Sequence, residues 1–301
     1  VIVRRLAAIL FVPLMFAFGA GVYFGLGTLK SKAVKERAQL PTVTKPKFVL
    51  PGTMFVVQAG RIFKLNSGSF TEIGPSGNWS QPSLTPDHSH LVAVLTTGYS
   101  SDLYLLDTNG AVVKRLTHNA GTLRHITQNH WAFYPHVSTD GQSVFFDYDY
   151  PKFTYNDPGV DLSVWSMPIQ GTVAQGRRWT DPYSYTGGDT DPIPTGGGVL
   201  FVRHTIDPTT AVHSQIEIQT RPLAFPRALT PAADDCTEPS LSPDSKQVVM
   251  ICSHSGKFTT LEVAPFNGVA LGPRRILLQG GLYAAPAWSP DGTAIAYYAP
   301  V

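Results

Sequence analysis

An all-β fold made of repeated four-stranded units is what this sequence predicts, and three observations carry the prediction. The first is the stretch Ala285–Tyr298 near the C-terminus, which reads as a short strand, a Ser289-Pro290-Asp291-Gly292 turn, and an apolar strand. In that turn proline presets φ and glycine accepts a positive φ. The second is repetition. Anchored on the proline before each turn, four weaker copies begin at Pro82, Pro135, Pro192 and Pro239, spaced 53, 57, 47 and 47 residues apart up to Pro286. Periods of this size mark a repeated supersecondary unit. The third is composition. With 27 Gly, 25 Pro, 12 Tyr and only 15% charged residues, the chain suits short strands joined by tight turns.

Each copy continues alike. A second strand follows the turn, at Leu91–Leu95, Val144–Phe146, Val199–Val202, Val248–Ile251 and Ile295–Tyr298. In the four complete copies a third strand follows, at Leu103–Leu106, Leu162–Trp165, Ile216–Ile218 and Leu261–Val263. A fourth then ends in Arg115-Leu116-Thr117, Arg178-Trp179-Thr180, Ala228-Leu229-Thr230 or Arg275-Ile276-Leu277. Four antiparallel strands per repeat make one blade of a β-propeller. Before the first copy, Met54–Gln58, Arg61–Leu65 and Phe70–Ile73 read as three more strands, and the last copy supplies two. The expectation is four complete blades plus one composite blade that joins the N- and C-terminal strands, five in all. Six is the alternative, because both ends supply a second-strand equivalent.

The motif Trp288–Gly292, together with the Leu-Thr endings, resembles the TolB-type propeller repeat over roughly residues 50 to 301. The resemblance implies the propeller fold and, since that family is periplasmic, an exported domain. It implies little about function, because propellers host many unrelated activities.

The chain divides into residues 1–30, a transmembrane anchor; 31–50, a tether; and 51–301, the propeller. Leu6 to Leu29 carries no charge and is bracketed by Arg4 and Arg5 before and by Lys30, Lys32, Lys35 and Arg37 after. At about 1.5 Å per residue a helix of that length crosses a hydrocarbon core of about 30 Å. The competing reading, a cleaved signal peptide, has a shorter apolar core. Ala17, Gly21 and Gly25 recur every four residues, a strip that lets a second helix approach closely; the plainer reading is that glycine is common in membrane helices. The segment Lys30–Arg37 suits anionic lipid, and the tether beyond it is punctuated by Pro41 and Pro46.

Topology is contested within the sequence. Two basic residues before the span and four after it point the propeller to the cytoplasm. The cysteines point outward. Cys236 and Cys252 flank the Pro243-Asp244-Ser245 turn, and a hairpin centred on Asp244 sets them opposite one another, within disulfide range. Two buried free thiols are the alternative, since a one-residue slip spoils the pairing. With the implied periplasmic setting, the disulfide tips the reading to a propeller in the periplasm or outside the cell.

Formal net charge is +2 with the basic residues scattered, so nucleic acid is not a partner. The sequence holds no Gly-x-Ser-x-Gly elbow, His-Glu-x-x-His, phosphate loop or Cys-x-x-Cys, which disfavours a self-contained enzyme. His118, His125, His130 and His136 match no ligand spacing and read as an inter-blade loop. The segment from Asp147 through Asp161 could ligate Ca²⁺ through its carboxylates and glycine turn, but its spacing does not match the helix-loop-helix calcium pattern. It reads instead as an aromatic surface loop in which Tyr148, Tyr150, Phe153 and Tyr155, with Trp131 and Tyr134 nearby, contact a partner. Finally, the residues before the anchoring prolines, Gln81, Tyr134, Asp191, Glu238 and Ala285, occupy equivalent places and are expected to ring the central channel. Asp191 and Glu238, helped by Asp189, make at most a weak cation site there, and no cofactor is expected. The reading that results is a non-catalytic, membrane-anchored scaffold or accessory subunit that meets an integral membrane complex through its helix and one propeller face. The alternative is a propeller enzyme, or a binder of small ligands or cations, using the channel.

Overall fold

The structure, a computed structural model, describes residues 52–121, 128–149, 161–254, 256 and 258–300. The anchor and tether with Ala17, Gly21, Gly25 and Lys30–Arg37, and the residues Tyr150, Phe153, Tyr155 and His125, lie outside the described residues. Among the described residues no helix is long and apolar enough to cross a membrane.

The fold is an all-β propeller. Its first sheet is β1 (Thr53–Gln58), β2 (Arg61–Asn66) and β3 (Ser69–Ile73). Four complete four-stranded blades follow, each an antiparallel meander. They are β4 (Asn78–Leu84), β5 (His90–Thr96), β6 (Ser101–Asp107), β7 (Val112–Arg115); then β8 (Ala132–Val137), β9 (Ser143–Tyr148), β10 (Ser163–Pro168), β11 (Arg177–Arg178). Next come β12 (Asp189–Thr195), β13 (Gly198–Ile206), β14 (Val212–Gln219), β15 (Arg227–Ala228); and β16 (Cys236–Leu241), β17 (Gln247–Cys252), β18 (Thr259–Pro265), β19 (Arg275–Gly281). A last hairpin, β20 (Ala284–Trp288) and β21 (Ile295–Tyr298), closes the described chain.

The expected five-blade arrangement of four-stranded blades therefore holds, with one correction. Among the described residues the strands of the fifth blade are divided between two partial sheets, β1–β3 and β20–β21, that are not hydrogen-bonded into one. The physical reason lies in what each end supplies. Both β1 and β21 are second-strand equivalents, so they compete for one place in a four-stranded sheet instead of completing it.

The core sits between neighbouring sheets. Five apolar clusters fill the five interfaces from β1–β3 round to β20–β21. In the four complete blades each second strand lies inside its sheet and is covered on both faces, which is why it reads as a continuous apolar run instead of an alternating one. In β9 the alternation is still decisive. Val144, Phe146 and Tyr148 face the blade before it, while Phe145 faces the blade after it.

Two local devices explain the repeat. In four copies of the turn the leading hydroxyl binds the aspartate two residues on: Thr85 to Asp87, Ser138 to Asp140, Ser242 to Asp244 and Ser289 to Asp291, at 2.5 to 2.7 Å. The residue that closes the turn has positive φ, at His88, Gly141, Ser245 and Gly292. The second device is the Leu-Thr ending. Thr117, Thr180 and Thr230 each accept the backbone N–H of the neighbouring third strand, at Leu103, Val164 and Ile216. The hydroxyl thus continues the ladder where the fourth strand departs.

Cys236 and Cys252 are register partners in β16 and β17, joined as a disulfide with 4.0 Å between their Cα atoms.

Candidate functional site

The five residues singled out by repeat symmetry share one backbone state. Gln81, Tyr134, Asp191, Glu238 and Ala285 have φ of 51°, 48°, 55°, 51° and 49°, and each sits where the register between first and second strands shifts. A left-handed non-glycine residue costs about 1 to 3 kcal/mol and often marks a functional position. Here Ala285 shares the state without any polar group, so the bulge belongs to the propeller repeat, and only the side chains at each position distinguish one blade from another.

Those side chains link blade to blade. Gln81 Oε1 accepts the N–H of Tyr134 at 2.9 Å, Asp147 Oδ2 accepts the N–H of Asp191 at 3.2 Å, and Glu238 Oε2 accepts the N–H of Ala285. The bulge turns these N–H groups away from the ladder, and the neighbouring blade supplies the acceptors. Tyr134, Asp147, Asp191 and Glu238 are near enough for their charges to interact.

Asp147 is the member that the sequence reading missed, having been grouped with the insertion after it. It is wholly buried on β9, on the face opposite Tyr148, and its Oδ1 has no hydrogen-bond partner among the described residues. Burial, then the charge of Asp191, holds its carboxyl well above the usual carboxylate range. Burial, then the charge of Glu238, pushes Asp191 up to about 7. Tyr134 is pushed up to about 12, by burial and then by Asp191, so its phenol stays protonated. His136, two residues along β8, has an enclosed Nδ1 without a partner among the described residues, and burial pushes its imidazole down to about 4. The site therefore comprises two carboxyl groups held above the usual carboxylate range and a phenol. It can hold, share or exchange a proton, and it can donate hydrogen bonds to a polar guest.

Several expected site residues do other work. Asp189 is engaged by a cation of the chain itself: both its oxygens take the fork of Arg203, Nε to Oδ1 at 2.9 Å and Nη2 to Oδ2 at 2.7 Å, with Glu217 Oε2 3.5 Å from the same Nε. Tyr148 is not a contact residue but core, packed edge-on against Trp165 and Phe146 with its hydroxyl donated to Asn119. Trp131 stacks on Phe133 at 5.9 Å and remains half-buried, as does Tyr134. Of the histidines, His130 meets Asp149 at 2.8 Å and His118 is exposed. Among the described residues Asp189, Asp191 and Glu238 do not converge to metal-ligand spacing. The group that does, Cys252, His254 and Glu262, includes a cysteine committed to the disulfide and so offers no thiolate.

The class defined by this fold and site is an all-β propeller whose blades are linked by polar side chains at the first-strand bulges. Solved structures share the architecture. A protein from Agrobacterium tumefaciens described as TolB superposes with a TM-score of 0.60 at 18% identity, covering 83% of this chain and 87% of that one. TolB from Acinetobacter baumannii gives 0.57 at 19% identity, covering 81% of this chain and 56% of the other, so this chain spans just over half of that protein. At such identities the likeness is one of fold. No protein-family model and no curated protein matches the chain.

Proposed function

We propose that the chain is a non-catalytic propeller, exported and held at a membrane by residues 1–30, that serves as an interaction scaffold or accessory subunit of a larger membrane complex. The observation that carries this reading is the surface beside the channel ring. Trp131 and Phe133, stacked and half-exposed, lead directly into Tyr134 on β8, and large rigid aromatics next to hydrogen-bonding groups are what protein interfaces concentrate. The TolB likeness supports a propeller used for binding without naming the partner. The cross-strand disulfide supports an oxidising compartment.

The test is a photo-crosslinking amino acid at position 131, with position 70 on β3 as control, followed by purification in mild detergent and mass spectrometry. The reading expects one partner to be captured from 131 and not from 70. Equal capture from both positions, or none from 131, removes it.

A second reading uses the channel itself. Asp191, titrating near 7 beside the buried Asp147, is suited to proton exchange with a small polar guest. Replacing Asp191 by Asn while partner capture at 131 stays intact separates the two.

A further inference from the structure

The most exposed large apolar side chain among the described residues lies far in sequence from the ring, in the connection between β14 and β15. There Arg221-Pro222-Leu223-Ala224-Phe225-Pro226-Arg227 places two apolar residues between two prolines and two arginines. Phe225 is fully exposed and Leu223 is 63% exposed, so neither contributes to the core. A loop that only joined two strands would gain nothing from presenting both to water.

The loop is held in that shape. The backbone N–H of Leu223 donates to the carbonyl of Trp179 at 2.7 Å, and that of Ala224 donates to Arg221 at 3.2 Å. Gln219 is buried, and its Nε2 donates both to the Trp179 carbonyl and to the Arg221 carbonyl, the latter at 3.0 Å. Leu223 itself has φ of +56°. The two prolines restrict the chain further. The wedge is thus pinned by a buried side chain and by a neighbouring blade, and its ordering cost is met on folding.

Charge decides what it fits. Arg221 and Arg227 are exposed, and neither forms an ion pair among the described residues, although Arg178, Arg203 and Arg274 all do. Arg177, on the strand that leads to Trp179, is likewise exposed and unpaired. A rigid apolar tip flanked by free guanidinium groups matches a bilayer surface, where the tip enters the acyl boundary and the cations meet phosphate. A protein groove would have to supply both a pocket and acids at this spacing. An anionic lipid surface supplies both everywhere.

We infer that the 221–227 loop is a lipid-contact element that seats the propeller against anionic membrane. The inference rests on the loop alone and holds whether or not residues 1–30 form an anchor.

A reporter on the loop itself tests it. In the full chain, Phe225→Cys is labelled with an environment-sensitive fluorophore, which leaves the buried, disulfide-bonded Cys236 and Cys252 untouched. Phe70→Cys on β3, also exposed, is the control. The labelled protein is reconstituted with phosphatidylcholine vesicles and with vesicles containing phosphatidylglycerol. The inference expects a blue shift and quenching by spin-labelled lipid at 225 but not at 70, only with the anionic lipid. In Arg221→Glu and Arg227→Glu each, partition of the loop should fall roughly fivefold or more, while Arg→Lys at the same positions retains it. Equal spectra in both vesicle types, equal shifts at 225 and 70, insensitivity to charge reversal, or a shift that needs an added protein and not lipid would each overturn it.

Discussion

Tyr134 donates its backbone N–H to Oε1 of Gln81, a residue of the preceding blade 53 positions earlier, at 2.9 Å. Because the bulge denies that N–H a ladder partner, Gln81→Ala leaves it without an acceptor. A loss of about 1 to 3 kcal/mol in urea unfolding is expected. Gln81→Glu keeps the acceptor but adds a carboxylate facing Tyr134 and its acidic neighbours, so its stability should match wild type at pH 5 and fall behind at pH 8. Equal stability of Gln81→Ala and wild type at both pH values would show that the bond carries nothing.

Asp191 gives the pH dependence a sign. Its carboxyl is raised from 3.8 to about 7 on folding, so between these values the native chain keeps a proton that the unfolded chain has released. The unfolding free energy must then decrease as pH rises through that window, and Asp147 acts in the same direction. Asp191→Asn should be more stable than wild type above pH 7, by an amount on the order of 4 kcal/mol at most, with a flatter profile. Parallel profiles for the two proteins from pH 4 to 8 would contradict the assignment.

The turns offer a stabilising change. His88 and Ser245 occupy the positive-φ place that glycine holds at 141 and 292. His88→Gly and Ser245→Gly should each raise stability by a few tenths to about 1 kcal/mol, and Gly141→Ala should lower it by about 1 kcal/mol. Thermal melts of the three variants check the pattern, and a destabilised Ser245→Gly would overturn it.

The disulfide joins neighbouring strands across a 16-residue separation. Removing it with Cys236→Ala and Cys252→Ala together should cost about 3 kcal/mol, since the unfolded chain regains the entropy of an open loop. Non-reducing peptide mapping of protein from its native compartment is the companion measurement; recovery of both residues as free thiols would remove the main physical support for export.

Residues 1–30 are open to the same treatment. If Gly21 and Gly25 line a helix-packing groove, Gly21→Leu with Gly25→Leu keeps the segment apolar and insertable while filling the groove. Membrane recovery should be unchanged and co-purification of partners should drop severalfold. Undiminished partner recovery would make the glycines incidental and shift attention to the face around Trp131.

How much of this was legible in the sequence follows from how local each signal is. The second strands are apolar runs bounded by turns, and β21 falls on Ile295–Tyr298 as the pattern indicates. The ring positions were legible because a proline marks each one in sequence. Asp147 was not, because it lies on a second strand without such a marker, and its acidic-aromatic neighbours drew it into the loop that follows. The period of two contained the answer. If Phe146 and Tyr148 face one blade, Phe145 and Asp147 must face the next, where Asp191 is. Asp189 pairs in register with Arg203, whereas Asp191 lies inside the bulge between Thr190 and Ile193, a distinction that no composition argument resolves. The division of the last blade was beyond local reading altogether, since pairing between chain ends is set by closure and not by any nearby residue.

Because β1–β3 and β20–β21 share no strand hydrogen bonds among the described residues, the five-blade propeller has an unsealed seam, and its six sheets form an array with two ends along it. In such an array each layer is held by its neighbours only, so the inner layers are supported twice and the outer ones once. Amide hydrogen exchange should therefore run as a gradient. β9, β13 and β17 would exchange only on global unfolding, while β1 and β21 fray independently at far lower free energy. Force applied along the chain would likewise peel the molecule layer by layer from both ends, with the disulfide between β16 and β17 stopping one of the two unravelling fronts.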